Sequence, residues 1–282
     1  MTREVPMPGT VFQPSLADLE SLVDHLAGSA VESGLGAEPV TVGRGRLTAR
    51  MPLSERIRTE DGRLSPFALA TFGDMGVGVA VNSAVTDSTG GPTVELTFAI
   101  AAQPAPQARF LMLESQAVSV DAASGVGRAV IHDDTGVTIA HVHGVMATSP
   151  GLADPTGARA TERFDPRSVV VEPVTEGFED ARVILNGGMA NNRGSIHGGV
   201  LTGIAMTVQD AFHQGSGRQG LSFAVQFLRP AAPEMGHLRC RSEFVRRGRT
   251  FSTVRTRLVR PDGVVVAEAT GTSVIRAGTE AS

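Results

Sequence analysis

The chain has 282 residues, 41% hydrophobic and 19% charged, with a formal net charge of −4, so it can bury a full core and shows no basic stripe for nucleic acid or anionic membranes. Its one cysteine, Cys240, excludes an internal disulfide and a multi-cysteine zinc site. Met1 to Gly9 is polar and proline-bearing without an apolar h-region, and no later stretch approaches a membrane span, so a soluble, cytoplasmic protein is expected.

In chain order, Leu16, Leu19, Leu22, Val23 and Leu26 recur at helical spacing and stop at Gly28, which predicts a short packing helix. Thr41 to Met51 reads as a strand. Ser65-Pro66 has the form of an N-cap followed by proline in the first turn, and the apolar stretch Phe67 to Val81 follows as a helix. After the Gly90-Gly91 turn come four strand-like runs, Val94–Ala101, Phe110–Asp121, Gly127–His132 and Val137–Thr148, with Asp133-Asp134-Thr135-Gly136 as a hairpin turn between the last two. Residues 149–165 are rich in Pro, Gly, Ala and Thr with no hydrophobic period, and read as a linker between units at 1–148 and 166–282.

Beyond the linker the same order returns. Ala181–Leu185 reads as a strand and Gly198 to Phe212 as a helix. Strands follow at Leu221–Leu228, His237–Val245, Thr250–Val259 and Val264–Ile275, the last hairpin turning at Arg260-Pro261-Asp262-Gly263. Aligning the halves sets Gly91-Pro92-Thr93-Val94-Glu95-Leu96-Thr97-Phe98 on Gly220-Leu221-Ser222-Phe223-Ala224-Val225-Gln226-Phe227, and Gly144 on Gly271. One helix and a four-stranded antiparallel meander, twice over, predict an α+β fold in which each sheet wraps its helix.

The second half also carries Asn191-Asn192-Arg193-Gly194-Ser195-Ile196-His197-Gly198-Gly199-Val200, a polar loop that turns at His-Gly-Gly into the apolar helix. Such a turn aims backbone N–H groups and a helix dipole at whatever lies in front of it, a cradle for a developing oxyanion. This half resembles the hotdog-fold acyl-CoA thioesterases of the phenylacetyl-CoA (PaaI-like) type, whose loop reads Asn-x-x-Gly-x-x-His-Gly-Gly and whose helix carries an Asp nine residues after the His. Asn191, Gly194, His197, Gly198 and Gly199 fit that loop. The likeness runs on through Phe227-Leu228-Arg229-Pro230-Ala231, the Gly248-Arg249 turn and Val266-Ala267-Glu268-Ala269, covering most of 181–276. The first half resembles the family only in outline, so the whole looks like a tandem double hotdog.

Two departures carry the functional expectation. Nine residues after His197 stands Met206, neither base nor nucleophile; nine residues after Ser65 stands Asp74, in the matching helix of the first half. Family sites form across a hotdog pair, so the resemblance implies one composite site, the 191–199 loop facing Asp74, and an inactive pocket holding Ser65 and Met206. In that site the Gly198 N–H would stabilise the thioester oxyanion, and glycine there lets the backbone approach the substrate. Asp74 would act as general base or as nucleophile, with partial burial raising its pKa. Asn191 and His197 would orient the loop or the water, and Thr93 would bond Asp74 or the water, with Ser222 its counterpart in the inactive pocket. Gly199 and an arginine cluster, Arg246, Arg247 and Arg249, would bind the substrate, the arginines through coenzyme A phosphates. No cofactor or metal is implied; the partner is an acyl-CoA, and the resemblance implies a homo-oligomer, a dimer of double hotdogs.

Plainer readings stand beside these. His197 could serve only as a cap and Asp74 as a solvated helix residue, although Phe72, Met75, Val77 and Val79 around it argue for a buried helix, where an unpaired carboxylate is costly. The arginines could be a solvated turn. His141 and His143 share a strand face beside His132, but a metal would need a further ligand. Gly215 to Gly220 matches a dinucleotide-binding string in the wrong order, between a helix and a strand, and reads as a loop. Cys240 alternates with Leu238 on a predicted strand and reads as inert. No Gly-x-Ser-x-Gly elbow exists, which argues against a serine hydrolase. Met206, Phe72 and Phe212 could line an acyl tunnel or fill core. A hotdog hydratase or dehydratase, or a non-catalytic acyl-CoA-binding module, are the other function classes these residues allow.

Overall fold

A computed structural model of the chain describes residues 26, 28–85, 91–148, 162–213 and 217–275. The helix expected over Leu16 to Leu26 falls outside those residues except for Leu26, as do Gly90 of the Gly90-Gly91 turn and most of the 149–165 segment.

Three α-helices and twelve strands are present among the described residues. The helices are α1 (Ala30–Leu35), α2 (Pro66–Asn82) and α3 (Gly198–Phe212). The strands are β1 (Glu38–Gly43), β2 (Arg46–Pro52), β3 (Thr93–Ile100), β4 (Phe110–Val120), β5 (Ser124–Asp133), β6 (Thr138–Ala147), β7 (Val171–Pro173), β8 (Asp180–Ile184), β9 (Arg218–Phe227), β10 (His237–Arg247), β11 (Phe251–Val259) and β12 (Val265–Ile275). The expected strand over Thr41 to Met51 is instead the hairpin β1–β2. It turns at Gly45 (φ +66°), a left-handed backbone that glycine adopts without a Cβ penalty.

All twelve strands form one sheet in the order β1-β2-β4-β5-β6-β3-β9-β12-β11-β10-β8-β7. The order on one side of the β3–β9 pair mirrors the order on the other. At that pair Leu96 lies opposite Val225, the two residues that the alignment of the halves superimposes. The last two hairpins correspond as well, turning at Gly136 (φ +92°) and Gly263 (φ +88°).

Helix α2 packs on β2, β4, β5 and β6, and α3 on β9, β10, β11 and β12. Every residue of α2 from Phe67 to Val81 is buried, so the helix is covered on all sides. Its three glycines and several valines are poor intrinsic helix formers, and burial rather than propensity stabilises it. Fully burying a side chain such as Phe72 contributes roughly 1.5–3 kcal/mol.

The two helices cross at close range. A Cβ on Gly199 would sit 2.4 Å from Thr71 Cα, and one on Gly203 would sit 2.4 Å from the Phe67 ring. As the number rises along α3 its partner's falls along α2, so the helices run antiparallel. That register sets Asp74 level with His197 at one end of the crossing and Met206 level with Ser65 at the other. The close approach needs glycine at both points, because a methyl group at Gly199 would strike backbone that cannot swing aside.

The end of the 149–165 segment is anchored rather than loose. Phe164 is buried edge-on against Phe67, with ring centroids 5.8 Å apart, and its N–H donates to the Ala30 carbonyl at 3.1 Å.

Candidate active site

The site is assembled at the N-terminus of α3. The preceding loop is shaped by its own residues: Asn191 Oδ1 accepts from the N–H groups of Arg193 (2.9 Å) and Ser195 (3.2 Å), and Gly194 turns with φ +73°. The His197 N–H donates to the Met189 carbonyl at 2.9 Å, which ties the turn to the short 3-10 turn Gly187–Met189 at the start of the loop. His197 is the N-cap of α3, and Gly198 and Gly199 are its first two residues.

Asp74 reaches this turn from the middle of α2. It is 6% exposed, and both oxygens are engaged. Oδ1 accepts from the Thr93 hydroxyl at 2.7 Å, at the start of β3; Oδ2 accepts from the Gly199 N–H at 2.8 Å. The Gly198 N–H is bonded to no acceptor among the described residues and lies in the first turn of α3 beside the carboxylate. A Cβ on Gly198 would sit 2.8 Å from Asp74 Oδ2, so only glycine fits there without displacing it. Burial pushes the Asp74 carboxyl above its ordinary value; the charge of His197 and the hydrogen bond from Thr93 pull the other way.

A third carboxylate, absent from the sequence-based expectations, completes the cluster. Glu32 of α1 is 5% exposed, and its Oε1 lies 3.0 Å from His197 Nε2. The other ring nitrogen, Nδ1, lies 3.4 Å from Asp74 Oδ2. His197 is thus held between two acidic groups. Burial opposes its charge, but Glu32 first and Asp74 second outweigh burial and push its pKa up to about 9. Burial likewise opposes ionisation of Glu32, yet the adjacent imidazolium and the Ser29 hydroxyl hold that carboxyl down at about 2. The Gly199 N–H lies within reach of both Asp74 Oδ2 and His197 Nδ1 (3.0 Å), but a protonated ring cannot accept at Nδ1. The imidazolium therefore leaves this N–H to Asp74 and turns its own Nδ1–H toward the same carboxylate.

The signal for Glu32 was present but ambiguous. Ser29-x-x-Glu32 matches the capping-box pattern at a helix start. In the structure Ser29 makes no side-chain bond to the helix backbone; its hydroxyl donates to Glu32, whose other oxygen reaches across to His197.

At the opposite end of the helix crossing, Ser65 and Met206 are both buried, and the Ser65 side chain makes no cap hydrogen bond. Ser222 is half-buried on β9, one strand over from Thr93.

The arginine cluster is not part of the Asp74 site. Arg246, Arg247 and Arg249 are exposed around the β10–β11 hairpin, where Arg247 lies 5.1 Å over the Phe244 ring. Phe244 in turn packs on Phe212 at 4.7 Å, at the C-terminal end of α3. Fifteen helical residues, about 21 Å, separate that end from Gly198. The hairpin carries these arginines along α3, away from its N-terminus, so none of them lies beside Asp74.

Other singled-out residues have plain surroundings. Phe72 is fully buried core, and Phe212 belongs to the aromatic cluster with Phe244 and His213. His141 and His143 are exposed on β6, and His132 Nε2 lies 3.7 Å from Glu114. Among the described residues no group of three His, Cys, Asp or Glu side chains could hold a metal. Cys240 is buried, which pushes its thiol up to about 12. Gly220 lies inside β9, so the string from Gly215 to Gly220 runs into a strand and opens no helix. No helix among the described residues is long and apolar enough to cross a membrane.

A large antiparallel sheet with helices packed on it is the arrangement of hotdog-fold thioesterase structures. Residues 186–274 match the family model of the acyl-CoA thioesterase N-terminal domain, a match that falls in the second half of this chain. That likeness, with thioesterases of the same fold, supports a thioester hydrolase. Solved structures with the same fold include the tesB protein of Mycobacterium avium subsp. paratuberculosis, 10% identical with a TM-score of 0.60 over 92% of this chain and 99% of that one. The acyl-CoA thioesterase II TesB2 of Mycobacterium marinum is 12% identical, with a TM-score of 0.57 over 89% and 98% of the two chains. A hot dog fold protein of Alicyclobacillus acidocaldarius is 13% identical, with a TM-score of 0.53 over 85% and 96%. No curated protein matches the sequence.

Proposed function

We propose that the chain is a tandem double hotdog of the PaaI-like type, with units at 1–148 and 166–282 joined by 149–165, that hydrolyses an acyl-CoA to free acid and coenzyme A at a single composite site. The observation that carries this reading is the Asp74 carboxylate of one half, 2.8 Å from the Gly199 N–H of the other. The mirrored strand order and the helix crossing support the two-unit reading, and the Asn-x-x-Gly-x-x-His-Gly-Gly loop supports the subtype.

The chemistry follows from the parts. The thioester carbonyl oxygen sits at the N-terminus of α3 and accepts from the Gly198 N–H, a bond that strengthens as the carbonyl becomes a tetrahedral oxyanion. Asp74 takes a proton from water as the hydroxyl adds to the acyl carbon, and collapse of the intermediate expels the thiolate, which recovers the proton. Direct attack by Asp74 on the acyl carbon is the other route open to the same carboxylate. Thr93 fixes the carboxylate from Oδ1, and Asn191 keeps the loop in shape. The enzyme works in the cytoplasm, as the lack of an apolar leader or membrane-span pattern in the sequence leads one to expect, and in lipid metabolism as a homo-oligomer of double hotdogs, as the family resemblance implies.

The test is thiol release from short, medium, long and aryl acyl-CoAs by wild type and Asp74→Asn. Release that collapses in the variant supports hydrolysis and the composite site together. Release untouched by the substitution sinks the composite site. No release from any acyl-CoA removes the hydrolytic reading in favour of a lyase or a binding module.

A further inference from the structure

We propose that Glu32 is a positioning residue of this site: from α1 it clamps His197 through Nε2 and thereby aims the other ring nitrogen at Asp74. The inference rests on the composite site proposed above and adds a third element to it. Three groups from α1, α2 and the turn before α3 form one buried line, Glu32 Oε1 to His197 Nε2 at 3.0 Å and His197 Nδ1 to Asp74 Oδ2 at 3.4 Å.

The charge count explains why such a line is built. A neutral His197 would leave two buried carboxylates facing each other across an uncharged ring, an arrangement with a high desolvation cost. A protonated His197 compensates both. Glu32 thus keeps the imidazolium charged and oriented, and the imidazolium keeps Asp74 ionised against the burial that pushes its proton back on. Among the described residues the charged groups facing His197 are Glu32 of α1 and Asp74 of α2, and the groups facing Glu32 are His197 and the Ser29 hydroxyl.

The opposite pocket lacks the device. The spacing that carries Ser65 to His197 carries Glu32 to Phe164, a buried ring packed on Phe67. An apolar ring there and a serine in place of the histidine leave nothing to charge.

Glu32→Gln tests the clamp, because it keeps an acceptor for Nε2–H and removes the charge. Two readouts are taken: the His197 titration by NMR of the labelled imidazole, and the pH profile of kcat/KM for acyl-CoA hydrolysis. The expected result is a His197 titration at least tenfold in proton affinity below wild type, a basic limb of kcat/KM displaced toward neutral pH, and KM within about twofold of wild type. A folded E32Q whose His197 titration and basic limb coincide with wild type, with only Tm lowered, overturns the proposal and leaves Glu32 a structural ion-pair partner. If E32Q does not fold, Glu32→Asp takes its place, retaining the charge but withdrawing it by one methylene; a fall in His197 proton affinity supports the clamp and an unmoved titration overturns it. The NMR readout needs no turnover. A shifted titration in a protein that releases no thiol keeps the clamp and removes the hydrolytic reading.

Discussion

The two ends of the α2–α3 crossing are built on one plan and differ in four side chains. At one end stand Asp74, His197, Glu32 and Thr93; at the other stand Met206, Ser65 and Phe164, each 132 residues away from its counterpart, and Ser222, which the alignment of the halves sets on Thr93. The backbone plan is shared: a helix N-terminus faces the middle of the partner helix, across a glycine-lined crossing. What distinguishes the ends is charge. One holds a buried imidazolium between carboxylates, and the other holds a thioether, a phenyl ring and hydroxyls. The helix dipole is present at both ends, but Pro66 stands where Gly198 does and has no N–H to offer, so the free donor and the buried charges occur together only at the Asp74 end.

The comparison can be broken most sharply at Asp74. Asp74→Asn is expected to lower kcat by about 10²–10⁴-fold in the thiol-release assay, because it removes the base and keeps the volume. Since burial makes the ionised carboxylate costly, the same variant should hold or raise Tm; a melting point several degrees lower would mean Asp74 is chiefly a structural group. A smaller effect is expected at Thr93. Thr93→Ala removes one hydrogen bond to a charged oxygen, about 1.5–3 kcal/mol when fully expressed, and should cost roughly 10–100-fold in kcat. Ser222→Ala, its counterpart, should stay within twofold, and equal losses from both would mean that both pockets work.

The buried charge line also sets a pH dependence of stability. Glu32 is held at about 2 against an ordinary 4.5, so its contribution is complete above 4.5 and is lost as pH falls toward 2. His197 is raised to about 9 from 6.5, so its contribution is complete below 6.5 and is lost as pH rises through 9. Asp74, raised by burial, opposes folding as it ionises. The Tm difference between wild type and Glu32→Gln should therefore be widest between pH 4.5 and 6.5 and narrow on both sides. A difference that is flat with pH would remove the ion pair from the account. The smallest effect is expected at the other end of the crossing, where Ser65→Ala and Met206→Leu should leave kcat/KM within about twofold; a tenfold loss from either would make that pocket a working site.

Much of the fold was legible locally. The α3 bounds, Gly198 to Phe212, follow from an apolar period that begins at a His-Gly-Gly turn, and the hairpins at Gly136 and Gly263 follow from Asp-x-Gly and Asp-Gly signals between alternating runs. The β1–β2 hairpin is marked in the sequence only by a change of phase, with Val42 at an even position and Leu47, Ala49 and Met51 at odd ones, and by Gly45, whose left-handed backbone makes the turn. Of the candidate site residues, the turn and Asp74 could be named from the repeat, since each half lacks what the other keeps. The position of the arginines was not legible. Their sequence distance from the loop says nothing about which end of α3 the β10–β11 hairpin reaches.

The sequence by itself therefore determined the elements, their repetition and the chemical types available, because period, caps and turn residues act over a few residues. Tertiary structure alone decided which charges meet. Glu32 and His197, 165 residues apart, touch only because α1 folds onto the turn before α3. Asp74 and Gly199, 125 apart, touch only because β3 pairs with β9 and lets the two helices cross at glycines. A carboxylate has the same local pattern whether it ends in solvent or against an imidazolium, and only the packing of distant elements removes the water that would make the difference small.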